Sequence, residues 1–285
     1  MKLPFFLARR FVAGETLADA LPAVRALRAD GLLVTLDLLG EDVKDRKRAE
    51  RYALEYIDIL RTLDREDSEL PPNISIKLSM IGQRIDRDFC LANLRRVLDV
   101  ARELGAFVRL DMEGSDLTAS TLGFFEEVYP DYPDNVGVVL QAYLRRTEAD
   151  VDRMAELNAR VRLCKGAYKE PPEVAYQDMP TIRENFERQM QRLITDARYP
   201  GIATHDDTLI AATKAFVGAH GISHDAFEFQ MLYGIRPDTQ REIAREGYNL
   251  RIYVPYGTQW GPYFTRRLRE RKENVWFILK NMFRR

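Results

Sequence analysis

Cysteine is scarce: Cys90 and Cys164 are the two in 285 residues, one in a predicted helix and one in a predicted strand. Neither sits in a CxxC or a Cys/His cluster, so no structural zinc site and no disulfide framework is expected, and a reducing compartment is. Histidine is almost as rare. His205, His220 and His224 form no HxH or HExxH, which leaves metal-assisted hydrolysis without a ligand set. No strand is followed by GxGxxG, no GxxxxGK[ST] occurs, and no GxSxG elbow supports a serine hydrolase. Long apolar runs are missing too: nothing approaches the ~20 residues a membrane span needs. The opening Met1–Val12 has a short apolar stretch broken by Arg9 and Arg10, without the h-region or cleavage site of a signal peptide. Neither sign of charge dominates, with 43 Lys+Arg against 44 Asp+Glu, so nothing suggests a nucleic-acid partner or a solvating acidic tail.

What remains is an ordinary hydrophobic content, 46% with 10% aromatics, enough for a sizeable core. Strand and helix signals alternate along the whole chain. The first helix is expected near Thr16–Ala29, then a strand at Leu32–Leu38 and a helix from Lys44 to Arg65, where Ala53, Tyr56, Ile57, Leu60 and Leu63 share a face. Later strands are expected at Asn73–Ser79, Phe107–Asp111, Val136–Gln141, Arg160–Lys165, Gly201–Thr204, Phe227–Met231 and Arg251–Val254. Helices fall between them, one near Arg183–Asp196 after a loop holding Pro171, Pro172 and Pro180. Another opens near Pro262, and a closing apolar helix is expected at Val275–Phe283. Eight strand–helix units in series imply a parallel sheet closed into a (βα)8 TIM barrel with extra helices at both ends. With no linker, repeat or composition shift, residues 1–285 read as a single domain.

The strands carry a second signal. Ile74, Ile76 and Leu78 alternate with Ser75, Lys77 and Ser79; Val108 and Leu110 with Arg109 and Asp111. Arg162, Glu228, Gln230, Arg251 and Tyr253 repeat the pattern. One face of each strand must meet the helices, so the polar face points into the barrel. A ring of buried charge is too costly to be mere packing, and catalytic groups of such barrels sit at the C-terminal strand ends.

Those ends and the helix opening near Pro262 offer Glu41, Lys77, Asp111, Gln141, Arg162, Lys165, Thr204, His205, Gln230, Leu232, Tyr253, Arg266, Arg267 and Glu270. Paired arginines with Lys77 suit a carboxylate or phosphate clamp, and Glu270 lies four residues after Arg266 on the same helix face. Taken singly, adjacent arginines are more often a solvated face, a strand lysine more often an ion-pair partner, and Tyr253 and Leu232 ordinary packing. Convergence on one barrel mouth favours the functional reading. A Schiff-base lyase or aldolase centred on Lys77 stays open at this point, as does a carboxylate-binding barrel without catalysis.

Four runs in barrel order add a resemblance. They are Arg162-Leu163-Cys164-Lys165-Gly166-Ala167-Tyr168, Ala203-Thr204-His205-Asp206, Phe227 through Gly234, and Tyr253 through Arg266-Arg267-Leu268 to Glu270; Asp37-Leu38-Leu39-Gly40-Glu41 opens the match. With these the chain resembles the proline dehydrogenases, flavin-dependent enzymes that begin proline catabolism. Cys164 departs from the valine that members often carry.

The resemblance implies a distorted barrel holding non-covalent FAD, with the eighth helix over the mouth. Lys77, Arg266 and Arg267 are similar to the groups that hold the proline carboxylate, Asp111 to a catalytic-site acid beside Lys77, and Leu232 and Tyr253 to the walls around the pyrrolidine ring. Met112, Gln141, Arg162, Lys165, Gly166, Ala167, Thr204 and His205 are similar to flavin contacts, with Arg162 also catalytic; Glu41 is similar to a gate acid and Glu270 to an orienting one. Implied partners are L-proline, a membrane quinone as electron acceptor, and transient contact with the pyrroline-5-carboxylate dehydrogenase that takes the product onward. The chain itself shows no resemblance to that aldehyde dehydrogenase. A cytoplasmic protein, peripheral at the inner membrane, is expected.

Overall fold

The computed structural model describes residues 5–66 and 70–270, with helical side chains described as far as Thr265. Its strands close on themselves in chain order, each parallel to its neighbours, into an eight-stranded barrel. The strands are β1 (Leu33–Leu38), β2 (Asn73–Ile76), β3 (Phe107–Leu110), β4 (Val136–Gln141), β5 (Val161–Cys164), β6 (Gly201–Ala203), β7 (Glu228–Leu232) and β8 (Leu250–Tyr256). Closure is made by β1 against β8, with Thr35 opposite Tyr253 and Asp37 opposite Pro255.

The helices are α1 (Leu17–Ala29), α2 (Arg46–Glu66), α3 (Arg87–Glu103), α4 (Ser115–Val128), α5 (Thr147–Glu156), α6 (Met179–Asp196), α7 (Asp207–Ala219), α8 (Pro237–Arg245) and α9 (Trp260–Glu270). Their starts follow local chemistry. Thr16 and Asp19 form a reciprocal capping box at α1, and Asp86, Asp178 and Asp206 cap α3, α6 and α7 by accepting from backbone amides two or three residues on. On α2, Ala53, Tyr56, Leu60 and Leu63 are buried as the periodicity requires, while Ile57 is half-buried and Ile59 takes its place in the core.

Two boundaries differ from expectation. Strand β2 stops at Ile76, and Leu78–Met80 turn into a 3-10 helix. Extended pairing therefore ends just before Lys77, and Ser79 is carried into that turn. Helix α6 begins at Met179 because Asp178 caps it and Pro180, free of any need for an N–H donor, occupies its first turn. The expected closing helix, Val275–Phe283, lies outside the described residues.

A main apolar cluster fills the layer between the sheet and helices α1 to α8. A second joins the chain before α1 (Leu7, Phe11, Val12) to Trp260 and Phe264 of α9, so the N-terminal segment supports the helix that follows β8. Inside the barrel lie the polar faces of the strands: Thr35, Asp37, Ser75, Arg109, Arg162, Glu228 and Gln230 are all buried.

Candidate active site

Lys77, just beyond β2, is 6% exposed, and its ammonium donates to Asp37 Oδ1 of β1 at 2.7 Å; Asp111 Oδ2, following β3, is 3.7 Å away. Asp111 is tied to two other groups. Its Oδ1 accepts from Arg162 Nη1 at 2.7 Å and its Oδ2 from the Tyr253 hydroxyl at 2.6 Å. Arg162 donates further to Ser75 Oγ at 3.1 Å and, through Nε, to Gln230 Oε1, and its guanidinium lies 5.2 Å from the centre of the Tyr253 ring. Six barrel strands or their ends thus contribute to one network of two cations, two carboxylates, a phenol, an amide and a serine hydroxyl.

Its electrostatics are determined by burial. Burial alone would lower the Lys77 pKa, but Asp37 and Asp111 outweigh it and hold the amine above its usual value. Tyr253 is pushed well above the usual phenol range by burial and then by Asp111, so it remains a protonated donor.

Above the network opens a cavity of about 830 Å³, within the size range of small-molecule and cofactor sites. Asp111, Met112, Arg162, Gln230, Leu232 and Tyr253, on or just beyond the strands, line part of it. Lys165, Gly166, Ala167, Thr204 and His205 line the rest, joined by Met179, Ile182 and Arg183 from the start of α6. Asp206 Oδ2 accepts from Lys165 Nζ at 2.9 Å and from Arg183 Nε at 2.8 Å, so two cations sit together on the wall. Burial would raise the Asp206 carboxyl, yet hydrogen bonds from Lys165 and Arg183 hold it at about 2. His205 accepts from the Leu232 amide through Nε2 at 2.9 Å, which assigns the proton of the neutral ring to Nδ1.

Gly166 has a positive φ of 112°, and a Cβ there would come within 2.2 Å of the Tyr143 ring. Only glycine suits that backbone, and it leaves the wall flat. A large cavity with a bare backbone patch, paired cations and the apolar side chains of Val139, Met231 and Leu232 has what a flavin dinucleotide needs: cations for a diphosphate and apolar contacts for a ring system.

Other expected residues stand apart from the lining. Gln141 is 2% exposed and its amide donates to the Glu113 carbonyl at 2.9 Å, which places it behind the wall. Lys77 reaches the cavity through Asp111. Glu41 is half-buried in the loop after β1. Arg266, Arg267 and Glu270 fall on α9 by their backbone, and their side chains lie outside the described part. The sequence reading assigned no role to Asp37, Arg183 or Asp206, nor to Glu113, whose carboxylate accepts from Ser79 Oγ at 2.7 Å. Asp37 sits in an apolar run, where one polar residue gives little signal. The inward phase of β1 was the clue that could have found it.

With this geometry in place, comparison with known proteins is decisive. The sequence profile of the Proline dehydrogenase family matches residues 20–280. The chain belongs to the proline dehydrogenase family. It is 41% identical over 282 residues to the Proline dehydrogenase of Deinococcus radiodurans, covering 98% of this chain and 90% of that one. Proline dehydrogenase 2 of Bacillus subtilis is 40% identical over 275 residues, 96% of this chain and 90% of the relative. Among solved structures, proline utilization A from Bdellovibrio bacteriovorus, inactivated by N-propargylglycine, superposes with a TM-score of 0.87 at 28% identity, over 93% of this chain and 32% of that chain. Family membership makes this protein an oxidoreductase that acts on proline.

Proposed function

We propose that the protein is an FAD-dependent proline dehydrogenase: it oxidises L-proline to Δ1-pyrroline-5-carboxylate and passes the electrons to a quinone. The observation that carries this reading is the buried Lys77–Asp37–Asp111–Arg162–Tyr253 network adjoining a dinucleotide-sized cavity. Proline is a zwitterion, so its site needs fixed cations for the carboxylate and an apolar wall for the ring methylenes. Lys77 meets the first need, with Arg266 and Arg267 contributed from α9; Leu232 and the Tyr253 ring meet the second.

FAD binds without a covalent link. Lys165 and Arg183 would hold its diphosphate, and Gly166, Ala167, Thr204, His205, Met112 and Arg162 would be its further contacts. When bound, the flavin supplies the two-electron acceptor for the hydride leaving the ring carbon beside nitrogen; the amine proton goes to solvent, and an imine remains. The residues position and do not act as strong bases. Fixing the carboxylate and the ring brings that carbon to the near-attack range of ~3–3.5 Å from its acceptor. Asp111 orients Lys77, Arg162 and the Tyr253 hydroxyl together. Arg162, ion-paired with Asp111, favours the electron density that develops in the acceptor. Gln141 acts from behind, by pinning the Glu113 carbonyl.

A Schiff-base reaction at Lys77 is disfavoured by the same network. Such a lysine needs a depressed pKa, whereas Asp37 and Asp111 hold Lys77 protonated. A lipid-soluble quinone brings the protein to the cytoplasmic face of the membrane, and no described helix is long and apolar enough to cross one. A pyrroline-5-carboxylate dehydrogenase takes the product, and the chain acts as one barrel domain.

The direct test is product analysis after turnover of FAD-loaded protein with L-proline and a soluble quinone. Formation of a species two hydrogens lighter than proline, with stoichiometric quinol, supports the proposal. Proline recovered unchanged would reject it.

A further inference from the structure

The network continues down the barrel interior through Gln230, which also lines the cavity, to buried groups behind it. Glu228 and Gln230 are inward neighbours on β7, 2% and 3% exposed. Arg251 of β8 clamps Glu228 through Nε at 2.7 Å and Nη2 at 2.9 Å. Burial opposes the Glu228 charge, but Arg251 outweighs it and keeps the carboxyl below its usual range. A carboxylate can only accept, so it dictates which end of the neighbouring amide it meets. Gln230 Nε2 donates to Glu228 Oε1 at 2.5 Å, and its Oε1 therefore faces the other way, onto Arg162 Nε.

Arg162 then has a partner at each of its three nitrogens: Nε to Gln230, Nη1 to Asp111, Nη2 to Ser75. The sequence also makes room for the amide. Gly201 lies beside Arg162 and Glu228 in the sheet register, and a Cβ there would stand 2.3 Å from Gln230 Nε2.

We infer that Gln230, with its amide oriented by Glu228, is a positioning residue that fixes the Arg162 guanidinium against the bound cofactor and so raises the cofactor's reduction potential. This rests on the proposed flavin site. Without the Gln230 acceptor, Arg162 loses one of its three anchors and a buried N–H is left unpaired, which is costly in so enclosed a place.

The experiment uses the FAD-loaded full chain, with midpoint potential and FAD dissociation as readouts beside activity. Gln230→Met keeps the volume and removes both polar ends. It should lower the midpoint potential and weaken FAD retention by about tenfold, the loss expected for one hydrogen bond to a charged group. Gly201→Ala, which crowds the amide without changing its chemistry, should shift the potential in the same direction.

Gln230→Glu separates orientation from space-filling. The titratable groups around position 230 are Glu228 on the same strand, Arg162 on β5, Arg251 and Tyr253 on β8, Arg109 on β3 and Asp111 just beyond it. Two carboxyls in hydrogen-bond contact do not both ionise readily. Protonated, the new side chain donates to Glu228 and accepts from Arg162 as glutamine does. The variant should therefore match the wild-type potential at low pH and fall below it as pH rises. Wild-type potential and FAD affinity in Gln230→Met, or a pH-independent offset in Gln230→Glu, would overturn the inference while leaving the flavin reading intact. Failure of the wild-type chain to bind FAD would overturn both.

Discussion

The Lys77 ammonium lies 2.7 Å from Asp37 Oδ1 and 3.7 Å from Asp111 Oδ2, so its first partner comes from β1 and its second from beyond β3. Asp37 is fully buried and faces Lys77 across the β1–β2 pair. Breaking one side of such a pair strands a buried charge, at a cost of about 3–5 kcal/mol. Asp37→Ala should destabilise the protein by that order, measured as a fall in the urea midpoint. Adding Lys77→Met should recover part of the loss, because it removes the stranded charge.

The raised Lys77 pKa gives a chemical prediction. At neutral pH the amine is protonated and poorly nucleophilic, so borohydride with a carbonyl compound should leave Lys77 unmodified. Peptide mass spectrometry decides it, and a reduced adduct at Lys77 would revive the lyase reading. Lys77→Met should raise the KM for L-proline far more than it lowers kcat, since the lysine is assigned to binding.

Much of this was legible beforehand. Alternation along Phe107–Asp111 and Phe227–Met231 was enough to place Arg109, Asp111, Glu228 and Gln230 inside the barrel, because a strand reverses face at each residue. What the sequence could not supply was partnership. Asp37 meets Lys77 only once β1 lies beside β2, and Asp206 meets Arg183 only once α6 starts early enough to bring that arginine to the cavity. Gln141 likewise meets its partner only in the fold, where its amide nitrogen donates to the Glu113 carbonyl.

Gly166→Ala tests the bare backbone patch. The positive φ and the Tyr143 ring both resist a methyl group, and strain of this kind costs about 1–3 kcal/mol. FAD affinity should fall by roughly tenfold or more, read by fluorescence titration. Adding Tyr143→Ala should recover only part of it, because the backbone strain remains.

The Lys165–Asp206–Arg183 link predicts an acid dependence. The folded-state pKa of Asp206 is depressed to about 2 from an ordinary 3.8. Its contribution is therefore complete above about pH 4 and is lost as pH falls towards 2. The stability gap between wild type and Asp206→Asn, from urea unfolding at a series of pH values, should be constant above that window and close within it.

The central claim is that this cavity holds a flavin that L-proline reduces. The measurement that addresses it most directly is the visible spectrum of the FAD-reconstituted protein, before and after L-proline is added without oxygen. The account predicts flavin bands that bleach on addition of L-proline and return with a quinone. No bands after reconstitution, or bands that L-proline leaves unchanged, would contradict it.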